Sequence, residues 1–334
     1  MYKILFINSM ILGTLISISS YSWLSMWMGL EINLLSIIPL FSNNKNTFSS
    51  ESSLKYFITQ AMASLILLMS ILLLLITNEF IHPLMNSSLK MMMDSALLTK
   101  LGAAPFHFWF PEVIEGLSWI NSWILLTWQK IAPFMLLMNN KTSSNMLIMA
   151  ITTSLVISTV NSMNQISMRK ILAYSSINHI AWMLSTLMMS LSAWVFYFLI
   201  YSIINTNIIY IFNSTKTFFI NQMNNLMTQN KLVKFTFLTN FLSLGGLPPF
   251  LGFLPKWLVV NWLVNNQMMI IGMTMIVITL IMTFVYTRLI ISPMTLNTVE
   301  IKNKTISPNN SVIMFINSIT LTGLVFCTMM FNLM

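Results

Sequence analysis

Six titratable side chains stand where the surrounding sequence is almost wholly apolar: Glu31, Lys100, His107, Lys130, His179 and Lys256. Glu31 lies in Trp27-Met28-Gly29-Leu30-Glu31-Ile32-Asn33, and Lys100 in Leu97-Leu98-Thr99-Lys100-Leu101-Gly102. Lys130 is central in the stretch Trp119 to Met138, and Lys256 follows Gly252-Phe253-Leu254-Pro255. A charge at the centre of a bilayer costs about 2.5–3.5 kcal/mol on insertion scales. Four such residues cost on the order of 10 kcal/mol, comparable with the stability of a whole domain. They are tolerable only when they point inward and find partners or water. One acid cannot neutralise three lysines in contact pairs. A buried lysine is held between desolvation, which favours the amine, and a neighbouring carboxylate, which favours the ammonium. That balance is the property a proton relay needs. Imidazole titrates near neutrality and passes a proton through either nitrogen. His179, in Ser175-Ser176-Ile177-Asn178-His179, therefore joins Glu31, Lys100, Lys130 and Lys256 as a relay candidate. His107, in Pro105-Phe106-His107-Phe108-Trp109, is a secondary one. The competing readings are a static charge network in a structural membrane subunit and a stand-alone cation/proton antiporter.

These side chains need a frame at membrane depth, and the composition supplies one. The 334 residues are 56% hydrophobic and 7% charged, whereas soluble domains carry about 25% charged residues. Eleven stretches reach the roughly 20 apolar residues of a transmembrane helix, starting near Ile4, Trp23, Tyr56, Met91, Trp119, Met146, Ile171, Ala193, Phe235, Met268 and Val312. The expected fold is all-α and polytopic, a single transmembrane domain over residues 1–334 with no room for a soluble domain. The apolar runs are continuous rather than alternating, which excludes a β-barrel. A single cysteine, Cys327, leaves no disulfide framework and no thiol–imidazole metal site. No Gly-rich phosphate loop is present. The net charge of +9 is scattered among loops and spans rather than gathered on one face, so nucleic acid is not an expected partner. Membrane lipids are. No cleavable presequence precedes the first span. The 31 methionines, with many asparagines and isoleucines, fit an AT-rich organelle genome.

Alternating the eleven spans puts eleven of the 16 lysines and arginines on the side of the N-terminus. The other side receives Lys90 and Lys141, and Lys100, Lys130 and Lys256 fall within spans. The positive-inside rule makes the N-terminal side the matrix or cytoplasmic one, with Met334 opposite. Glu112 and Glu115, in the short connection after the fourth span, are expected at the interface.

Two spans are interrupted. The fourth contains Gly102-Ala103-Ala104-Pro105 and the ninth Gly245-Gly246-Leu247-Pro248-Pro249. Proline removes a backbone donor and clashes with the preceding turn. Broken helices at membrane depth survive only where they face protein or a watery cavity. The breaks are five spans apart, an odd number, so an inverted five-helix repeat is expected: residues 1–140, then 144–292, with a last helix over 311–334. Matched breaks of this kind mark ion pathways in secondary transporters.

The motifs Trp-Met-Gly-Leu-Glu31-Ile-Asn, Lys100-Leu-Gly-Ala-Ala-Pro-Phe-His107-Phe-Trp, Trp-Gln-Lys130-Ile-Ala-Pro and Gly-Gly-Leu-Pro-Pro-Phe-Leu-Gly-Phe-Leu-Pro-Lys256-Trp closely resemble those of the chain 2 family of NADH:ubiquinone oxidoreductase. These are mitochondrially encoded, antiporter-like subunits of respiratory complex I, and the codon skew is similar to that of insect mitochondria. The resemblance implies proton translocation coupled to quinone reduction. It implies an acid–lysine pair at Glu31 and Lys100, a central lysine at Lys130, a histidine after it at His179, and a lysine on the second broken helix at Lys256. Related antiporter-like subunits carry glutamate at that last position. The resemblance further implies the mitochondrial inner membrane, with the N-terminus toward the matrix and the C-terminus toward the intermembrane space. Neighbouring partners would be other membrane-arm subunits, including antiporter-like ones. No cofactor is expected on this chain; NADH, FMN, iron–sulfur clusters and ubiquinone belong to the parent complex. The chain departs from bacterial relatives in starting three spans later, and from the largest antiporter-like subunit in lacking a long lateral helix.

Overall fold

In hydrocarbon a backbone can satisfy its polar groups within one segment only by coiling into helix, and helix is what these apolar runs form. The structure is a computed structural model that describes residues 2–43, 46–77, 83–140, 143–223, 231–295 and 314–323 apart from 316 and 319. Its named helices are α1 (Tyr2–Ser19), α2 (Trp23–Phe41), α3 (Thr47–Thr77), α4 (Pro83–Leu101), α5 (Trp109–Gly116), α6 (Trp119–Leu126), α7 (Trp128–Asn139), α8 (Ser144–Ser162), α9 (Met168–Leu187), α10 (Leu191–Thr215), α11 (Lys231–Gly245), α12 (Phe253–Asn265) and α13 (Met269–Thr295). The described residues include no strand, and pair as β-structure only in the isolated bridge between Ser167 and Phe219.

Helix stands at or beside each of the first ten predicted starts. Six helices, α1, α2, α3, α8, α10 and α13, are each long and apolar enough to cross a membrane. The polar helix α9 is buried along almost its whole length, so its serines, Asn178 and His179 face protein. The expected last helix, 311–334, lies largely outside the described residues, as do Cys327, Lys45, Lys141, Lys302 and Lys304.

The two interruptions read from glycine and proline are present. The fourth stretch is α4 and α5, parted at residues 102–108, and the ninth is α11 and α12, parted at 246–252. A third was not anticipated. The stretch from Trp119, taken as continuous, is α6 and α7 with Thr127 between them at φ −115°, ψ −72°. The Thr127 hydroxyl donates to the Trp123 carbonyl at 2.7 Å. Back-bonding of this kind bends a helix, and Pro133 in α7 lacks the N–H that would continue the ladder.

The chain clusters into two compact units, Met1–Ser154 and Leu155–Met334. In the first, α3 packs on α2, α4 and α5, while α7 packs on α1, α4 and α6. In the second, α10 packs on α9, α11 and α12, and α13 on α11 and α12.

A close helix crossing in the first unit sets the position of Glu31. Helices α1 and α2 meet backbone to backbone at Gly13 and Gly29. A Cβ on Gly29 would lie 2.6 Å from the Ser17 nitrogen, and one on Gly13 would lie 2.9 Å from the Gly29 carbonyl oxygen. Small residues permit this approach where no hydrophobic force drives helices together. Gly29→Ala is expected to push the helices apart and cost about 1–3 kcal/mol, read as a lower thermal midpoint of the detergent-solubilised protein. Gly272→Ala is the control, because its Cβ meets only Leu263 at an ordinary 3.7 Å; equal midpoints for the two variants would show that the crossing is not tight.

Candidate functional site

The two helix breaks close in the same way. α4 ends in Gly102 at φ +74°, and α11 is followed by Gly246 at φ +79°. These are left-handed conformations that glycine adopts without penalty. Gly102 N–H donates to Thr99 and Ala103 N–H to Leu98, both at 3.1 Å; Gly246 N–H donates to Ser243 at 3.0 Å and Leu247 N–H to Leu242 at 3.3 Å. Both are Schellman closures, which satisfy part of the set of carbonyls stranded at a helix end. The turn bonds that follow, Phe106 N–H to Ala103 and Phe250 N–H to Leu247, match as well. Pro105 and Pro249 each stand three residues beyond the left-handed glycine, with Pro248 and Gly245 as extra breakers in the second copy.

Side-chain donors then reach carbonyls at each break, and they differ between the two. In the first break the Trp109 indole donates to the Thr99 carbonyl at 3.0 Å, and the Thr153 hydroxyl to the Ala104 carbonyl at 3.2 Å. In the second, the Lys256 ammonium donates to the carbonyls of Leu244 and Gly245 at 3.0 and 2.8 Å. Its Nζ also lies 5.8 Å from the Trp182 ring centroid. Lys100 occupies the last turn of α4. Each broken helix thus holds a lysine at the negative end of its first half, where the macrodipole favours a cation.

In the first unit Lys100, 8% exposed, opens on a cavity of about 20 Å³ lined also by Asn33, Tyr56, Gln60, Gln129 and Pro133. That is room for about one water. Asn33 and Gln129 exchange amide hydrogen bonds at 3.0 and 3.1 Å across the wall. Gln60 Nε2 is buried with no hydrogen-bond partner among the described residues, and supplies the donor that such a water needs. These amides flank the predicted residues in sequence, Asn33 two beyond Glu31 and Gln129 adjacent to Lys130, yet nothing in their types marked them. Lys130 is 1% exposed, in the first turn after the Thr127 kink.

The expected pairing of Glu31 with Lys100 is not a contact ion pair. Among the described residues the contact pairs are those of Lys55 with Glu51 and Glu112, each at 3.0 Å. Glu31 is half-buried on α2 and its Oε1 has no hydrogen-bond partner among the described residues, while its charge acts on Lys100 through space. The reason is the α1–α2 crossing, which seats Glu31 by backbone contact rather than by its side chain. Glu112 is exposed and pairs with Lys55.

In the second unit the structure places His179 beside the second break. His179 Nδ1 lies 2.9 Å from the Tyr197 hydroxyl, and its ring centroid 5.0 Å from that of Tyr201. A cavity of about 10 Å³ joins His179, Tyr197 and Tyr201 to Ser243, Gly252 and Pro255, which belong to the second break. The two tyrosines were missed; they read as ordinary aromatic positions of an apolar helix. His107 is buried beside the Pro105 carbonyl and against the Phe108 ring, within the first break.

With this geometry in place, likeness to known proteins is informative. Residues 20–283 match the family described as NADH:quinone oxidoreductase/Mrp antiporter, TM. The chain is 48% identical to the NADH-ubiquinone oxidoreductase chain 2 of Anopheles gambiae, covering 99% of this chain and 98% of that one. It is 46% identical to that of Aedes aegypti, covering 98% and 97%. Among solved structures it resembles a chain of respiratory complex I from Thermus thermophilus, with a TM-score of 0.86 at 21% identity over 96% of this chain and 77% of that one. It also resembles a chain of an Mrp complex from a Dietzia species, with a TM-score of 0.81 at 14% identity over 97% and 75%. These two structural likenesses speak for the fold.

Gly246 carries both a left-handed φ and the stem of Lys256, whose Cδ would lie 2.7 Å from an added Cβ. Gly246→Ala is therefore expected to cost about 1–2 kcal/mol in backbone strain alone, and to dislodge Lys256 from its carbonyls. Gly245→Ala meets Thr283 at 3.3 Å and has no such φ. Limited proteolysis should cleave the Gly246→Ala protein faster near the break than the Gly245→Ala protein, and indistinguishable rates would refute this account of the turn.

Proposed function

The chain belongs to the NADH-ubiquinone oxidoreductase chain 2 family, and from that membership we propose that it is a proton-translocating subunit of the membrane arm of complex I. The observation that carries the reading is the state of its buried charges. Lys100 faces a polar, water-sized cavity, within the field of Glu31 but out of contact with it. A charge locked in a short ion pair is a brace. A lysine beside water, biased by a carboxylate at a distance, can change its proton occupancy when that distance changes.

The magnitudes agree. At an effective dielectric constant of about 20, a carboxylate about 7 Å from an ammonium stabilises it by about 2.4 kcal/mol. Moving one charge across the membrane potential takes about 2.3 kcal/mol per 100 mV. Complete loss of that interaction is comparable with the work of moving one proton across about 100 mV, whereas a shift of the carboxylate from about 7 to about 10 Å supplies about 0.7 kcal/mol of it. In this reading protons are taken up from the matrix, and Lys100, Lys130, His179 and Lys256 pass charge in that order toward the intermembrane space. Lys256, held by two carbonyls and an indole face, is the member whose release from its ligands would gate the far end.

The topology proposed is eleven spans in the mitochondrial inner membrane, with the N-terminus toward the matrix. It is supported by the lysine and arginine asymmetry of the loops. The five-helix repeat of residues 1–140 and 144–292 is supported by the matching closures at Gly102 and Gly246. Partners are the other membrane-arm subunits and membrane lipids. The chain carries no redox chemistry of its own; NADH, FMN, iron–sulfur clusters and ubiquinone act elsewhere in the complex.

Replacing Lys130 with Met in a tractable homologue is expected to abolish or sharply reduce proton pumping by the assembled complex in reconstituted membranes, with quinone reduction measured alongside. Unchanged pumping would sink the relay reading. A static network instead predicts lost assembly with pumping intact wherever assembly survives, and a stand-alone antiporter predicts ion exchange by the isolated chain.

A further inference from the structure

A second buried acid lies on the helix that carries Lys100. Asp94 is 1% exposed and sits about 9 Å back from Lys100 along the α4 axis. The Asn140 amide donates to its Oδ1 at 2.6 Å, while Oδ2 is buried with no hydrogen-bond partner among the described residues. A half-satisfied buried carboxylate is costly unless it takes up a proton or meets water. Lys90 acts on it through space but makes no contact pair.

The surroundings give this group a direction. Lys100 shares its small cavity with Pro133, and Asp94 shares a hydrogen bond with Asn140. Helices α4 and α7 therefore run side by side in opposite senses, with one polar station near each end of their contact. Asn140 also lines a second cavity, of about 430 Å³, together with Tyr21, Trp23, Leu74 and Lys90. Tyr21 and Lys90 are exposed, so this cavity reaches the surface. It lies at the ends of α1 and α3 and the start of α2, the lysine-poor side of the chain. Along α4, Asp94 thus stands between the small polar cavity at Lys100 and the larger cavity at Asn140.

Resting on the relay reading above, we propose that Asp94 is a further relay residue on a branch from Lys100, beside the route through Lys130, that releases protons past Asn140 into the larger cavity. An N–H bond of the Lys100 ammonium breaks and, through intervening water, an O–H bond forms at Asp94 Oδ2, leaving Lys100 as the amine. That O–H bond then breaks to cavity water, and Asp94 returns to the carboxylate. A purely structural Asp94 would need only its shape and its bond to Asn140. Asparagine supplies both.

The test is Asp94→Asn in the chain's own complex, with assembly on native gels, uncoupled NADH:quinone turnover, and protons translocated per NADH in inner-membrane vesicles. The expected result is normal assembly and uncoupled turnover with a lowered proton yield, restored by Asp94→Glu. Parental proton yield in Asp94→Asn overturns the proposal. Lys130→Met, measured in parallel, separates the two failures: if it loses pumping while Asp94→Asn does not, only Asp94 is wrong, and if neither loses pumping, the relay reading falls with it. Should Asp94→Asn assemble poorly, dicyclohexylcarbodiimide on the parental complex reads the same residue. Modification of Asp94, mapped by peptide mass spectrometry and tracking the loss of pumping, supports the role; an Asp94 that never reacts overturns it.

Discussion

A backbone carbonyl inside a membrane must be given a donor. Most of the described residues meet that demand within helix, and at three places, Thr127 among them, the helix is interrupted. At Gly102 and Gly246 a helix ends, and carbonyls that would accept from the next turn are stranded. Each such group left bare costs several kcal/mol in hydrocarbon. The Schellman closures take some, and the Trp109 indole, the Thr153 hydroxyl and the Lys256 ammonium take others. The candidate side chains are arranged around this requirement. Lys256 is held where it is by the need of two carbonyls for a donor, and Lys100 sits at the matching helix end.

The same constraint separates two kinds of buried lysine. Lys256 is ligated by backbone and lies over an aromatic face, so its charge has fixed company. Lys100 has a small polar cavity and a distant carboxylate. A relay needs both: one site whose occupancy responds to a neighbour, and one that holds charge until its ligands let go. The close approach of α1 and α2 at Gly13 and Gly29 serves this division, because it seats Glu31 without using its carboxylate.

Much of this was legible in the residues. A low charge content with long apolar runs implies a membrane, and Gly-Pro clusters imply broken helices, because hydrophobicity and backbone freedom are local properties. The kink at Thr127 was not legible. A threonine followed six residues later by Pro133 is common in unbroken membrane helices, and its effect depends on where the hydroxyl turns. Gln60, Asn33, Gln129 and Tyr197 were passed over for a related reason. Neutral polar residues cost little enough in a span to need no explanation, so their types alone do not announce a site.

The sequence by itself determined the class of protein, the identity of the charges within its apolar stretches and two of the places where its helices break. Each of these follows from what a residue costs in lipid or allows its own backbone. Only the tertiary structure decided the company those charges keep. Glu31 and Lys100 act on each other without touching, Lys256 binds carbonyls twelve and eleven residues before it, His179 finds Tyr197, and Asp94 finds Asn140. Those partnerships join segments far apart in the chain. They depend on distances of a few tenths of an ångström that helix packing sets and that no local pattern of residues encodes.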